Sequence, residues 1–287
     1  MASLTNLVRL ELSKAIRRPM TWILAVIFVG FMGFMYTALA LTLVAAEAGI
    51  EGMEDFDTGG IEQQILLPDA LGFGSSLVVG VGAVIMIVFG AGLYGSEFGW
   101  ATIRTILLMR AGRTQIVLAK LILLALMSLV FTALGMLTVL AGSLASEVIA
   151  GDVSDVSGHL TGDLFLDLLL ITLRASVSVG MWALIGGMLA LAFSSMAIGT
   201  GIALAAYFIG DLVIALIGQL GAFGEWFTRL MPTYGINGMV QLNQATSPDF
   251  SNAELIGMAA SILVWSIVFI ALGVYRFRNA DVIAASS

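Results

Sequence analysis

The chain has 287 residues, of which 60% are hydrophobic and 11% charged, with a net charge of -7 and a mean hydropathy of +1.05. A soluble domain holds roughly 45–50% apolar and about 25% charged residues, so this composition excludes a soluble globular protein and implies an integral membrane protein. The absence of Cys excludes disulfides, thiolate metal sites and Cys nucleophiles, and the single His159 excludes a haem pair or a multi-His metal site.

The first element is a short helix within residues 1–20. In "LTNLVRLELSKAIRRP" the residues Leu4, Leu7, Val8, Leu12, Ala15 and Ile16 line one helical face, and Arg9, Lys14 and Arg17 fall largely elsewhere. Such a helix sits in the headgroup layer with its basic face toward water. Pro19 marks the break between this helix and the first long apolar run.

A membrane-spanning helix needs about 20 apolar residues. Six runs qualify: 21–44, 75–95, 115–145, 164–193, 196–218 and 255–275. Strands of a membrane barrel would alternate polar and apolar residues over about ten positions, and these runs do not alternate. The expected fold is therefore all-α with six transmembrane helices. Arg17 and Arg18 precede the first run and "VAAEAG" closes it, the outline of a signal peptide. The apolar stretch exceeds the usual core of roughly 7–15 residues, so a retained helix is expected.

Charge between the runs fixes orientation. Arg9, Lys14, Arg17 and Arg18 precede the first run; Arg104, Arg110, Arg113 and Lys120 lie between or beside the second and third; Arg276 and Arg278 follow the sixth. The opposite loops carry Glu47, Glu51, Glu54, Asp55, Asp57, Glu62 and Asp69, then Glu147, Asp152, Asp155 and Asp163, and of the cations only Arg229. Basic loops stay inside, so both termini are expected in the cytoplasm of a multi-pass protein of the plasma membrane. The segment 97–113 interleaves its charges with Ile103, Ile106 and Leu107 at helical spacing, as a short helix at the membrane mouth would.

Within the runs, ionisable residues are costly and mark functional positions. Asp167 and Arg174 lie in the outer part of the fourth run and Asp211 in the fifth. Counting from the cytoplasmic ends at about 1.5 Å per residue brings Arg174 and Asp211 within one to two turns of each other, so an ion pair bracing the two helices is expected. The alternative is that Asp167 and Arg174 line an outer vestibule. Small residues recur at Gly80, Gly82, Gly90, Gly92, Gly186, Gly187, Gly199 and Gly201, as close helix packing requires. The segment 219–253 contains "FGEWFTRLMPTYGINGMVQL", which reads as a short interfacial helix ended by Pro232.

The stretches "ELSKAIRRPMTWIL", "GSEFGWATIRTILLMRAGRTQIVLAK" and "YRFRNAD" together resemble ABC-2 type transporter permeases. The resemblance implies an elbow helix in 1–20 and a coupling helix in 97–113, docked on an ATP-binding subunit. It carries over Glu97, Thr102, Arg104, Arg113 and Lys120 as motif positions; with Arg110, Lys14 and Arg17 they form the expected contact set for that subunit. Where the family usually has Pro in the basic turn, this chain has "RAGR". Tyr207 and Phe208 in the fifth run fall where the resemblance implies a translocation path, and 219–253 falls where it implies re-entrant outer helices.

A Walker A motif needs Gly before its Lys. Lys14 follows Ser13 and Lys120 follows Ala119. Nucleotide hydrolysis is thus not expected of this chain, which would bind no cofactor. ATP and Mg would sit on two copies of a separate ATP-binding subunit, beside a second permease copy or homologue. Membrane lipid surrounds the assembly, and no nucleic acid is expected. The function implied is export of a lipid, peptide, drug or other amphiphile. The alternatives are a non-transporting membrane sensor that transmits ATP-driven motion to an outer partner, and an ion-coupled secondary carrier.

Overall fold

The computed structural model describes residues 4–48, 58–99, 113–149, 162–244 and 248–279. These form helices α1 (Leu4–Arg17), α2 (Pro19–Glu47), α3 (Thr58–Ile65), α4 (Ala70–Gly99), α5 (Arg113–Ile149), α6 (Gly162–Ala192), α7 (Met196–Gly218), α8 (Ala222–Leu230), α9 (Pro232–Gln241) and α10 (Asn252–Asn279). Six of them, α2, α4, α5, α6, α7 and α10, are long and apolar enough to cross a membrane. Most outrun the apolar stretch that marks them, because a helix continues into polar residues such as Glu97 once it leaves hydrocarbon.

The α1–α2 corner is set by Arg18 in extended conformation and Pro19 in the first turn of α2, where a missing N–H costs nothing. Thr21 Oγ1 donates to Ala15 O at 2.6 Å and Trp22 Nε1 to Ile16 O at 2.8 Å, which fastens the corner. α6 and α7 are joined by a tight turn in which Ser194 takes φ 52°, and Ser195 Oγ accepts from Ile198 N to cap α7.

α4, α5 and α6 form the centre. α4 is mostly buried, whereas α7 and α10 are largely exposed and lie at the periphery. Phe131 of α5 stacks between Phe28 of α2 and Phe89 of α4, at centroid distances of 6.4 and 6.0 Å.

α4 and α6 meet backbone to backbone. Any Cβ on Gly90 would collide with the Ala183 carbonyl oxygen, and one on Gly186 would lie 2.7 Å from Ile87 O. Gly90 and Gly186 therefore serve intramolecular packing. α7 joins this contact through Gly199, which lies against the Ala190 backbone, and Met196 lies against Gly95.

At the other end Gly221, with φ 66°, turns the chain from α7 into α8, a conformation that favours glycine. α8 runs back along α7, and α9 returns between α6 and α10. The turn between them is held by Trp265 Nε1, which donates to Leu230 O at 2.6 Å, and by Ser261 Oγ, which donates to Met231 O at 3.0 Å. Pro232 both ends α8 and opens α9.

Most of the exposed basic and acidic residues lie at opposite ends. Arg9, Lys14, Arg17, Lys120, Arg276 and Arg278 lie at the end of the bundle where α1 sits, the basic end. Glu62, Asp69, Glu147, Asp163 and Asp167 lie at the opposite, acidic end.

Because the α4–α6 contact is made through backbone, a bulky residue there cannot be absorbed by a rotamer change. Gly90→Leu is expected to destabilise the protein by about 1–3 kcal/mol or more and to lower its apparent Tm in detergent. Gly30→Ala, where nothing lies within 4 Å, should leave Tm unchanged or slightly raised.

Candidate functional site: a buried charge quartet at the basic end

Three helix segments converge at the basic end: α1, the last turn of α4 and the first turns of α5. α1 is amphipathic, as its pattern requires. Leu4, Leu7, Val8 and Leu12 are half-buried and Ala15 is buried, whereas Ile16 is exposed. One further residue shares the inward face. Glu11 is only 4% exposed, among the apolar side chains.

Glu11 meets Glu97 of α4 and Lys120 of α5, which are 3% and 2% exposed. Lys120 Nζ lies 2.9 Å from Glu97 Oε1 and 3.3 Å from Glu11 Oε2, and donates to Leu93 O at 2.7 Å. Half-buried Lys14 closes the group, with Nζ 2.7 Å from Glu11 Oε1 and 3.6 Å from Glu97 Oε1. An ammonium has three N–H groups; that of Lys120 gives a hydrogen bond to Leu93 O, and the two carboxylate oxygens beside it are ion-pair partners. Tyr94 lies beneath it, with the ring centroid 5.6 Å from Nζ, and its hydroxyl donates to Val117 O at 3.3 Å.

The quartet holds two carboxylates and two ammoniums, so it is neutral as a unit. That balance matters: isolated buried charges cost several kcal/mol each, and only close, hydrogen-bonded pairing offsets the cost. Burial pushes the Glu11 carboxyl up, but the ammoniums of Lys120 and Lys14 outweigh it and hold the group below its ordinary value of 4.5. Next to the quartet, Phe98 packs edge-on against Phe277 with centroids 6.2 Å apart, which ties the end of α10 to the end of α4.

Of the expected site residues, Glu97, Lys120 and Lys14 come together, but Glu97 and Lys120 face inward, so they hold helices of this chain rather than touch a partner. Arg17 is exposed at the end of α1. Arg113 opens α5, and Thr102, Arg104 and Arg110 lie outside the described residues.

The expected Arg174–Asp211 pair is not made. Among the described residues the ion pairs are those of the quartet. Arg174 donates to Leu242 O at 3.1 Å, and Asp211 accepts from Asn237 Nδ2 at 3.3 Å. Counting residues along a helix gives height but not facing, and these two side chains find separate partners along α9, Asp211 at Asn237 within it and Arg174 at Leu242 just past its end. Tyr207 and Phe208 pack edge-on to each other with centroids 5.1 Å apart, but they differ in burial: Tyr207 donates to Gly80 O at 2.8 Å and packs edge-on to Trp182, whereas Phe208 is exposed.

Glu11 is the member that sequence reasoning missed. The signal was present, since Leu7, Glu11 and Ala15 are spaced by four and so share a face. A carboxylate on the apolar face of an amphipathic helix calls for a buried cation elsewhere.

Residues 7–211 match the family described as ABC-2 family transporter protein. No curated protein matches the chain.

Lys120→Met leaves two buried carboxylates with one half-buried ammonium, and is expected to cost about 3–5 kcal/mol. Lys120→Met combined with Glu97→Leu should cost less than Lys120→Met alone, as thermal melts of the purified protein will show. Glu11 has a folded pKa below its unfolded value, so its contribution is complete above about pH 4.5 and is lost as pH falls through the lower folded value. The protection factors of residues 4–17 in hydrogen exchange, corrected for the intrinsic slowing of exchange in acid, should therefore fall on acidification below pH 4.5, and Glu11→Gln should diminish that fall.

Proposed function

The chain belongs to the ABC-2 family of transporter proteins, and from that premise we propose that it is the permease subunit of an ATP-driven exporter of a lipid, peptide, drug or other amphiphile. Two ATP-binding subunits carry ATP and Mg, and a second permease copy or homologue completes the assembly. The basic end faces the cytoplasm, as the distribution of Lys and Arg favours. The segment 97–113 is the surface on which the motor acts, with Arg104, Arg110, Arg113 and Arg17 as contacts.

The observation that carries this reading is the quartet. Segment 97–113 leaves α4 just past Glu97 and enters α5 just before Lys120. Both stubs are locked to each other and to α1 through Glu11 and Lys14. A push on the segment therefore does not dissipate in its ends. It reaches α1, α4 and α5 together, and through the backbone contact of α4 it reaches α6. Lys120, Glu97 and Glu11 are positioning residues in this scheme, acting through the segment they hold.

The test is copurification of the tagged chain from its native membrane, followed by ATPase and vesicle transport assays. A P-loop ATPase subunit should come down with the chain. Replacing Arg104 and Arg110 together by Glu should reduce its recovery about ten-fold or more, since each reversal replaces attraction by repulsion. Lys120→Arg should retain partner recovery while lowering ATP-dependent transport. Absence of any nucleotide-hydrolysing partner would overturn the proposal. ATPase activity with no substrate movement in vesicles would transfer the chain to the sensor class.

A further inference from the structure

At the acidic end, a cavity of about 400 Å³ opens between the start of α4, the first half of α6 and the end of α9. A volume of roughly 300–1,000 Å³ is usual for small-ligand sites. Its polar lining comes from Asp69, Asp167, Arg174 and Asn243. Arg174 gives one N–H to Leu242 O, and a guanidinium has five. Asp69 and Asp167 are exposed and join no ion pair among the described residues.

Asn243 supplies an independent sign of a ligand. It is 5% exposed, its Nδ2 reaches only Ile171 O at 3.5 Å, and its Oδ1 has no hydrogen-bond partner. A buried amide oxygen without a donor is costly and uncommon. The neighbouring Gln244, by contrast, is paired with Gly72 O at 3.1 Å and Ser76 Oγ at 2.6 Å.

The mix of charges narrows the ligand. A lone anion would meet two carboxylates, and a lone cation would meet the guanidinium. A molecule carrying both charges a few bonds apart satisfies both. Asp69, Asp167 and Asn243 Oδ1 are three acceptors, which suits the three N–H groups of a primary ammonium; a quaternary ammonium has none to give. The fork of Arg174 suits a phosphate. Beside the cavity, α6 exposes Leu166, Leu169, Leu170 and Leu173, and Leu170 lines the cavity as well.

The geometry points to a binding site for a phosphodiester bearing a primary ammonium, the ethanolamine-phosphate group, with any attached acyl tail lying along the leucine face of α6. The site stands on the cavity itself and does not depend on the permease reading.

The test is native mass spectrometry of the full-length protein released from mild detergent. Phosphatidylethanolamine, phosphatidylcholine or phosphatidylglycerol is added at equal concentration, and soluble glycerophosphoethanolamine forms a separate arm. Retention of phosphatidylethanolamine should exceed that of the other two by about ten-fold, as a charge-assisted hydrogen bond implies. Asp167→Asn, at an exposed position that does not threaten folding, and Arg174→Gln should each reduce it toward the choline level, while Asp163→Asn should not. Displacement of the lipid by the soluble compound marks a water-borne source for the same chemistry, and failure to displace marks a lipid source. Equal retention of the three lipids, or retention undiminished in both variants, overturns the proposal. Because no ATP-binding subunit is needed, that failure is distinct from a failure to copurify one.

Discussion

The fold at the basic end depends on one requirement: Lys120 cannot be buried without acceptors. Its ammonium is enclosed to 2% exposure, and a bare charge at that depth would lose its proton or open the structure. The acceptors come from α4, as Glu97 and Leu93 O, and from α1, as Glu11. Two helices that could otherwise move apart from α5 are thus required to stay. An apolar core could hold the same helices with equal or greater stability. What the charges add is direction, because each ammonium fixes which carboxylate, and hence which helix face, must be opposite it.

That directional lock sits beside a contact of a different kind. α4 and α6 meet backbone to backbone at Gly90, Ala183 and Gly186, with Tyr94 packed against Gly187. Tyr94 belongs to both systems, since its ring lies under Lys120 and its hydroxyl binds α5. The quartet and the glycine contact are therefore consecutive stretches of one rigid surface of α4. The peripheral helices α2, α7 and α10 join that surface mainly through aromatic and small side chains, and they leave most of their own apolar surface outside.

How much of this was legible in the sequence depends on what each signal measures. The membrane helices were, because hydrocarbon thickness imposes an apolar length that local composition reports directly. The short N-terminal helix and its break at Pro19 were, because amphipathic period and proline chemistry are local. Glu97 and Lys120 stood out as charges at the edges of apolar runs, but their burial did not, since edge position alone does not say whether a side chain faces water or a neighbouring helix. Glu11 was hidden by the habit of assigning charged residues to the wet face. The Arg174–Asp211 expectation failed for a related reason: rise per residue constrains depth along two helices and leaves their rotations free. Asn243 and Leu242 lie outside any apolar run, so their meeting with α6 could come only from the return path of α9.

α4 connects the two ends of the molecule. It has 30 residues, about 45 Å at 1.5 Å per residue, without proline. Glu97 of its last turn belongs to the quartet and Leu93 O accepts from Lys120, while Leu71 and Gly72 of its first turn line the acidic-end cavity. Near that first turn Tyr36 donates to Ala70 O, and Gln244 donates to Gly72 O. A shift of the quartet along the axis of α4 must therefore alter the cavity mouth. It moves Gly72 against Gln244, and so against the α9 segment that holds Arg174 through Leu242. A helix this long bends under small forces but resists compression, so axial displacement is the motion it transmits best. The chain thus places a charge-locked grip at one end of a stiff rod and a charge-lined cavity at the other.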